Sequence, residues 1–320
     1  MERSVKTITK WNDNLKKVKT ELDKIDIVYT YVDSCDPNWI KKYEKTFPTE
    51  KIDPVRYKSY GEIYFSLKTI EKYAKAVCNN IYIVTDNQRL DSKELSSWCK
   101  KRIKYIDHTD IIPSIFLPTF NSITIESFLY RIPNLTKNFI YLNDDTFLGN
   151  YLKKSFLYTK GTANILVYIN NRRRKRDPKK PWEYYYLNGN DLIFERFNLQ
   201  QNILGAHTYH MMNVDVCNMT WVLFQKELCR SMSKKRESRN INFWYLCYGV
   251  GLYLGYFRYK VPKSDESLIM YCEKIGNKDM KERIMKEVRT LFTKKPITYC
   301  LNNLNDQCKE LWGFIKNKYL

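Results

Sequence analysis

Apolar positions in the first half of the chain fall into short β-branched and aromatic runs separated by stretches with helical spacing. Ile25–Val32 (IDIVYTYV) reads as a strand, and so do Ile81–Thr85, Ile103–Ile106, Phe139–Leu142 and Ala163–Ile169. Ser59 and Glu62 stand at the spacing of a capping box, with Ile63, Leu67, Ile70 and Ala74 following on one helical face. Short strands joined by helical connections predict an α/β fold built on a mostly parallel, doubly wound sheet flanked by helices. After about residue 170 the pattern changes. Arg172–Lys180 (RRRKRDPKK) is a basic run and no periodicity continues through Tyr186, so 171–190 reads as an insertion or loop. From Asp191 onward the chain reads as mainly helical, with Trp221–Arg230, Ile241–Tyr256 and Asp279–Phe292 as candidate helices.

The residues that follow the strands carry candidate chemistry. Asp33 and Asp36 succeed the first, Asp86 the second, Asp107 and His108 the third, and Asn143-Asp144-Asp145 the fourth. Open α/β sheets bind ligands at the carboxyl ends of their strands, so these residues predict one metal and substrate rim. Aspartate is also common in turns and helix caps, which accounts for any one of them alone. The adjacent pair Asp144-Asp145 resists that account, because neighbouring carboxylates repel and call for a cation or a basic partner. Their hard oxygens suit Mg²⁺ or Mn²⁺ held against a nucleotide diphosphate. His207 and His210 are each able to take a proton from a hydroxyl nucleophile; a pair at i, i+3 also allows a metal, but no adjacent carboxylate at ligand spacing supports that. His108 reads as a substrate contact or a turn residue. Arg56 and Arg131, beside the strand–helix units, suit bidentate phosphate clamping. No GxGxxG, GxxxxGK[ST] or GxSxG is present, which argues against dinucleotide cradles, Walker loops and nucleophile elbows.

Composition narrows the classes further. The 320 residues are 43% hydrophobic and 15% aromatic, enough for a large core and incompatible with global disorder. The net charge of +20 implies an anionic partner (nucleic acid, an acidic membrane surface or a phosphorylated substrate) or simply AT-rich coding, which makes Lys, Asn, Tyr and Ile abundant together. The N-terminus has no apolar signal segment. The longest apolar stretch, Phe243 to Phe257, is about 15 residues against the ~20 that a spanning helix requires; it reads as a buried aromatic helix, with a membrane-dipping segment as the alternative. Nine cysteines without a CxxC exclude zinc spacing and complete disulfide pairing, so a reducing cytoplasm is the simplest compartment.

Several segments together then match a family. They are IDIVYTYVDSCD from Ile25; Arg56, GEIYFSLKTIEKYA, IYIVTDNQ, DHTDIIP, LPTFNSITIESFLYRIPNL and NFIYLNDDTFLG; AHTYHMM with Arg236 to Phe243 downstream; and KPITYCLNNLND. In these blocks the chain resembles the Stealth proteins, hexose-1-phosphoryl transferases that include bacterial capsule-polymer enzymes and the N-acetylglucosamine-1-phosphotransferase of lysosomal enzyme tagging. The resemblance implies a GT-A-like fold and one catalytic domain, 25–320, after an extension at 1–24. Within that domain, 25–170 would be the nucleotide-sugar core, 171–190 the insertion and 191–320 the acceptor-side part. It further implies transfer of sugar-1-phosphate from a UDP-N-acetylhexosamine to an oligo- or polysaccharide hydroxyl, with release of UMP. That reaction would serve capsule or cell-surface polysaccharide synthesis in the cytoplasm, with peripheral contact at the anionic inner face of the membrane.

Carried onto this chain, the resemblance assigns Asp144 and Asp145 to Mg²⁺ (or Mn²⁺) and diphosphate, with Asn302 as a further ligand. Asp36, Asn121, Ser122 and Asn143 would shape the donor pocket, and Glu126 and Arg131 the phosphate-facing helix. Arg56 would clamp phosphate, and His207, with His210 second, would be the general base. Two places depart from the family pattern. Leu301-Asn302-Asn303 stands where Leu-Asn-Asp is usual, with Asp306 further on, and Asn213-Val214-Asp215 follows the histidines where an arginine is usual. A glycosyltransferase cleaving at the anomeric carbon would use a similar fold and release UDP instead. A nucleic-acid binder would exploit the charge through Arg172–Lys180 and the aromatics after it, a reading that the ordered blocks oppose. The runs Arg172–Lys180 and Ser233–Arg239 (SKKRESR) become candidate acceptor or membrane contacts.

Overall fold

Strand β1 (Ile25–Thr30) is buried from Ile25 through Tyr29, as a strand paired on both edges and covered on both faces must be. It lies between β2 (Cys78–Thr85) and β4 (Asn138–Leu142), with β3 (Ile103–Asp107) outside β2, and all four run parallel. The computed structural model describes residues 24–169, 181–199, 201, 203–205, 207–272, 278–302 and 304–319. Residues 1–23 of the expected extension 1–24, the basic run Arg172–Lys180 and Asn303 lie outside the described residues. Further strands are β5 (Thr146–Leu148), β6 (Tyr158–Thr159), β7 (Thr162–Ile169), β8 (Ile203–Gly205), β9 (His210–Asn213), β10 (Phe257–Lys260), β11 (Ser267–Tyr271) and β12 (Thr298–Asn302). The central sheet has the order β3-β2-β1-β4-β9, with β9 antiparallel to β4. The mostly parallel, doubly wound sheet expected from the sequence is therefore present. Its strand order reverses between β1 and β4, where such sheets open a crevice at their carboxyl ends.

Two smaller sheets flank this one. In the first, β7 pairs with β10, β6 and β8, so Ala163–Ile169 is a strand but does not extend the central sheet. In the second, β12 lies parallel to β11 and antiparallel to β5, with Cys300 opposite Thr146. The part after residue 191 is mainly helical, as expected, and also carries the short strands β8 to β12. The segment 171–190 is corrected: a helix begins at Pro181 and runs to Phe197. Its buried positions Tyr185, Gly189 and Ile193 recur at helical spacing, but the middle one is a glycine pressed against the Tyr245 ring, which breaks the apolar signal.

The apolar stretch is the buried helix Phe243–Tyr253, enclosed from Phe243 to Gly251. A Cβ on Gly251 would meet the Phe257 ring at 2.2 Å, so the close helix–strand approach requires glycine. Among the described residues no helix is long and apolar enough to cross a membrane. All nine cysteines are free.

The helix Glu62–Tyr73 joins the cores, packing Leu67 into the main cluster and Phe65 against Phe147 and Trp312 in a second one. Its cap is Gly61, at φ 80°, rather than Ser59, so the expected capping box is not formed. Glu62 instead turns back, accepting from the Tyr60 N–H at 2.6 Å and from Ser59 Oγ at 3.1 Å. At the far end of the sheet, buried Asp26 accepts from the Asn79 side chain, the Asn80 N–H and the Thr136 N–H at 2.8–2.9 Å. That carboxylate ties the starts of β1, β2 and β4 together.

Candidate functional site

The carboxyl ends of β1 and β4 open into a cleft of about 560 Å³. Thr30 and Tyr31 from the end of β1 and Asn143, Asp144 and Asp145 after β4 form its floor. Arg56, Lys58, Ser122 and Arg236 line it as well, as do His207 and, from the end of β12, Leu301 and Asn302. Glu62, Asp86 and His108 also reach it. Arg56, Ser122, Asn143, Asp144, Asp145, His207 and Asn302, all expected from the sequence, thus share one cavity although they are far apart in the chain.

Burial raises the Asp144 carboxyl well above the ordinary carboxylate range, and the negative charges of Glu62 and Asp145 add to the effect. Glu62 is raised for the same first reason. Neither Asp144 nor Asp145 makes an ion pair with a described residue. Asp145 Oδ1 is buried without a hydrogen-bond partner, and Asp145, His207 and Cys300 offer ligand atoms within 4.8 Å of one another. The site therefore fits a divalent cation: crowded, mutually repelling carboxylates and an orphaned oxygen are what a bound ion would satisfy. His207 Nδ1 lies 3.1 Å from Cys300 Sγ; in the tautomer whose Nδ1–H donates to the sulfur, Nε2 is free to accept a proton.

The Ser122–Arg236 wall is held by polar side chains behind it. Arg236 donates to Ser122 Oγ at 2.6 Å. Asn121, fully buried, caps the short helix Ser122–Glu126 through Oδ1 and reaches the Lys235 carbonyl and Asn240 Oδ1 at 3.1 Å through Nδ2. The Phe120 N–H donates to the Lys234 carbonyl at 2.8 Å. Glu126 lies behind the cleft, with the Tyr141 hydroxyl 3.1 Å from Oε1 and, on its other side, 2.6 Å from Asn143 Oδ1. Burial pushes the Glu126 carboxyl up to about 7, against the pull of Arg236.

Five expected site residues do not line the cleft. Asp36 caps the helix Pro37–Thr46, accepting from the N–H groups of Asn38 and Trp39. Asn121 and Glu126 act from behind, as described. Arg131 is exposed, its guanidinium 5.9 Å from the Phe128 ring centre. His210 is a core residue: β9 turns it inward, where it stacks on Trp244 at 3.9 Å and meets the Tyr248 hydroxyl at 3.0 Å. Burial, helped by His207, lowers it to about 3, so it stays neutral. Asp33 and Asp107 cap turns, while Asp306 is exposed and paired with Lys58 and Lys309. Arg236, Glu62 and Lys58 were not singled out as site residues. Arg236 was signalled by its place in the third motif block and in the basic run Ser233–Arg239, and Glu62 by an acid at the mouth of an apolar helix.

Residues 56–165 match the family description "Stealth protein CR2, conserved region 2". Capsular polysaccharide phosphotransferases are similar over most of their length. That of Actinobacillus suis is 30% identical, covering 92% of this chain and 82% of the relative. That of Haemophilus influenzae is 31% identical, covering 75% and 69%. Among solved structures, the galactosyltransferase LgtC in complex with donor and acceptor sugar analogs is similar with TM-score 0.43 at 9% identity, covering 92% and 96%. The chain belongs to the Stealth family of capsular polysaccharide phosphotransferases.

Proposed function

We propose that the cleft transfers sugar-1-phosphate from a UDP-N-acetylhexosamine to a hydroxyl of a growing capsular glycan, releasing UMP. The observation that carries this reading is the meeting of Arg56 and Arg236 with Asp144, Asp145 and His207 in one cavity at the switch point of the sheet. Cations and a carboxylate pair in one cavity are the parts that a diphosphate needs, and a histidine beside the carboxylates can serve a hydroxyl nucleophile.

In this reading Asp144 and Asp145, with Asn302 at the rim, would hold Mg²⁺ or Mn²⁺, which when bound neutralises diphosphate charge. Arg56 and Arg236 take the phosphoryl oxygens, and Ser122 fixes the Arg236 fork. Asn143 lines the donor pocket and is oriented by Tyr141, with Glu126 behind it. His207 Nε2 takes the proton of the acceptor hydroxyl as its oxygen forms a bond to the β-phosphorus. The bond from that phosphorus to the bridging oxygen breaks and UMP departs. The sugar C1–O bond is never cut, so the anomeric configuration of the donor is kept. Catalysis is then mostly positioning and charge compensation.

The test is incubation with UDP-sugars, Mg²⁺ and an oligosaccharide acceptor, with the nucleotide product identified by chromatography. UMP supports phosphosugar transfer. UDP as the product would overturn it in favour of glycosyl transfer.

A further inference from the structure

A second chamber of about 460 Å³ opens beside the cleft and shares the wall formed by Asp86, His108 and Thr119. None of the chemistry above uses it. Its charge is one-sided. Lys42, Lys45 and Lys234 reach it, with Asp86 as the sole carboxylate. Lys42 already pairs with Asp86 at 2.5 Å, and burial lowers His108, keeping it neutral. Lys45 and Lys234 are exposed and make no ion pair with a described residue, so two positive charges remain uncompensated. Leu117 and Pro118 give the chamber an apolar patch. A sugar ring with an attached phosphate presents these two characters, a C–H face and an anion.

The backbone of the Lys234 segment is fixed before any ligand arrives. The Phe120 N–H holds the Lys234 carbonyl, and Thr124 Oγ1 donates to the Ser233 carbonyl at 3.0 Å. Two residues on, Arg236 projects into the main cleft. One clamped segment thus supplies a cation to each chamber, which is an arrangement for two anions separated by a short spacer.

We propose that the second chamber is the acceptor subsite and that Lys45 and Lys234 bind a phosphodiester of the acceptor glycan. This rests on the proposed reaction: each sugar-1-phosphate transfer leaves a phosphodiester behind, so an extended acceptor carries one close to its next hydroxyl. With that phosphodiester in the second chamber, the hydroxyl beyond it crosses the shared wall toward His207. The chamber then selects acceptors that are already elongated over neutral primers.

The test uses the full chain and its Lys45→Gln/Lys234→Gln variant, in which both replaced side chains are exposed. A fluorescent oligomer of phosphodiester-linked N-acetylglucosamine and its neutral, glycosidically linked counterpart are titrated without donor. UDP-N-acetylglucosamine is titrated separately. The expected result is a loss of about tenfold in affinity for the phosphodiester oligomer. Donor affinity should stay within about twofold, and the preference for the charged over the neutral oligomer should disappear. An unchanged affinity for the phosphodiester oligomer, or an equal loss for the neutral one, overturns the subsite. Donor binding and the nucleotide product report on the reaction itself. A failure there, with the oligomer preference intact, would refute the reaction and leave the anion subsite standing.

Discussion

Arg236 and Ser122, 114 positions apart in the chain, meet at 2.6 Å on the wall of the cleft. The contact aims a guanidinium that is otherwise exposed, and the aim depends on Asn121 holding the segment behind it. Arg236→Ala is expected to lower kcat/KM by about 10²-fold, the usual cost of one transition-state anion contact. Arg236→Lys should recover little, since an ammonium lacks the two-pronged geometry. Steady-state kinetics with saturating acceptor checks both.

Asp145→Ala should abolish turnover, by at least about 10³-fold, while the circular dichroism spectrum and melting temperature stay close to wild type. The buried, unpartnered Oδ1 is the reason: no hydrogen bond of the described fold depends on it, and under the proposed function it would face the bound ion. Activity near wild type would reject its assignment to the metal.

The two histidines should separate cleanly. His207→Gln is expected to depress kcat by about 10²- to 10⁴-fold with little change in stability. His210→Ala, which removes the stack on Trp244 and the contact with Tyr248, should cost about 2–4 kcal/mol of stability, read from denaturant titration.

Glu126 makes stability depend on pH. Its carboxyl, near 4.5 when unfolded, is raised to about 7 by burial, so the native state binds the extra proton. Stability from this group is fully present below about pH 4.5 and is lost as pH rises through 7, by roughly 3 kcal/mol in all. Glu126→Gln should therefore raise the melting temperature more at pH 8 than at pH 5. The Tyr141 hydroxyl has one proton to share between Asn143 and Glu126, so protonated Glu126 completes the chain as donor. Gln keeps a donor there, and donor-substrate affinity should survive the change.

Asp26→Ala leaves the amide groups of Asn79, Asn80 and Thr136 without their acceptor. The expected loss is about 3 kcal/mol, seen as a lower urea midpoint with an unchanged slope.

The sheet was legible because β1, β2 and β4 are enclosed on both faces over Ile27–Tyr29, Ile81–Val84 and Phe139–Leu142, and so carry short apolar runs there. The helix after Pro181 was hidden because Gly189 sits in its buried stripe. At the site, Asp144, Asp145 and His207 stood out by chemistry and motif, whereas Asp36 and Asn121 were read as ligand contacts. Both are short polar residues ahead of helices, and a side chain that caps its own backbone looks the same in sequence as one facing a ligand. His210 has the same difficulty: only the pairing of β9 with β4 decides that it points inward. Arg236 was missed as a site residue because its partner lies in another region of the chain.

Strand β12 seats between β11 and β5 and brings Cys300 and Asn302 alongside Asp145. During synthesis, Asp144 and Asp145 leave the ribosome long before the strand that completes their surroundings. The cleft is thus completed only once β12 has been made, and a chain that stops before Thr298 lacks the Leu301 and Asn302 side of the pocket.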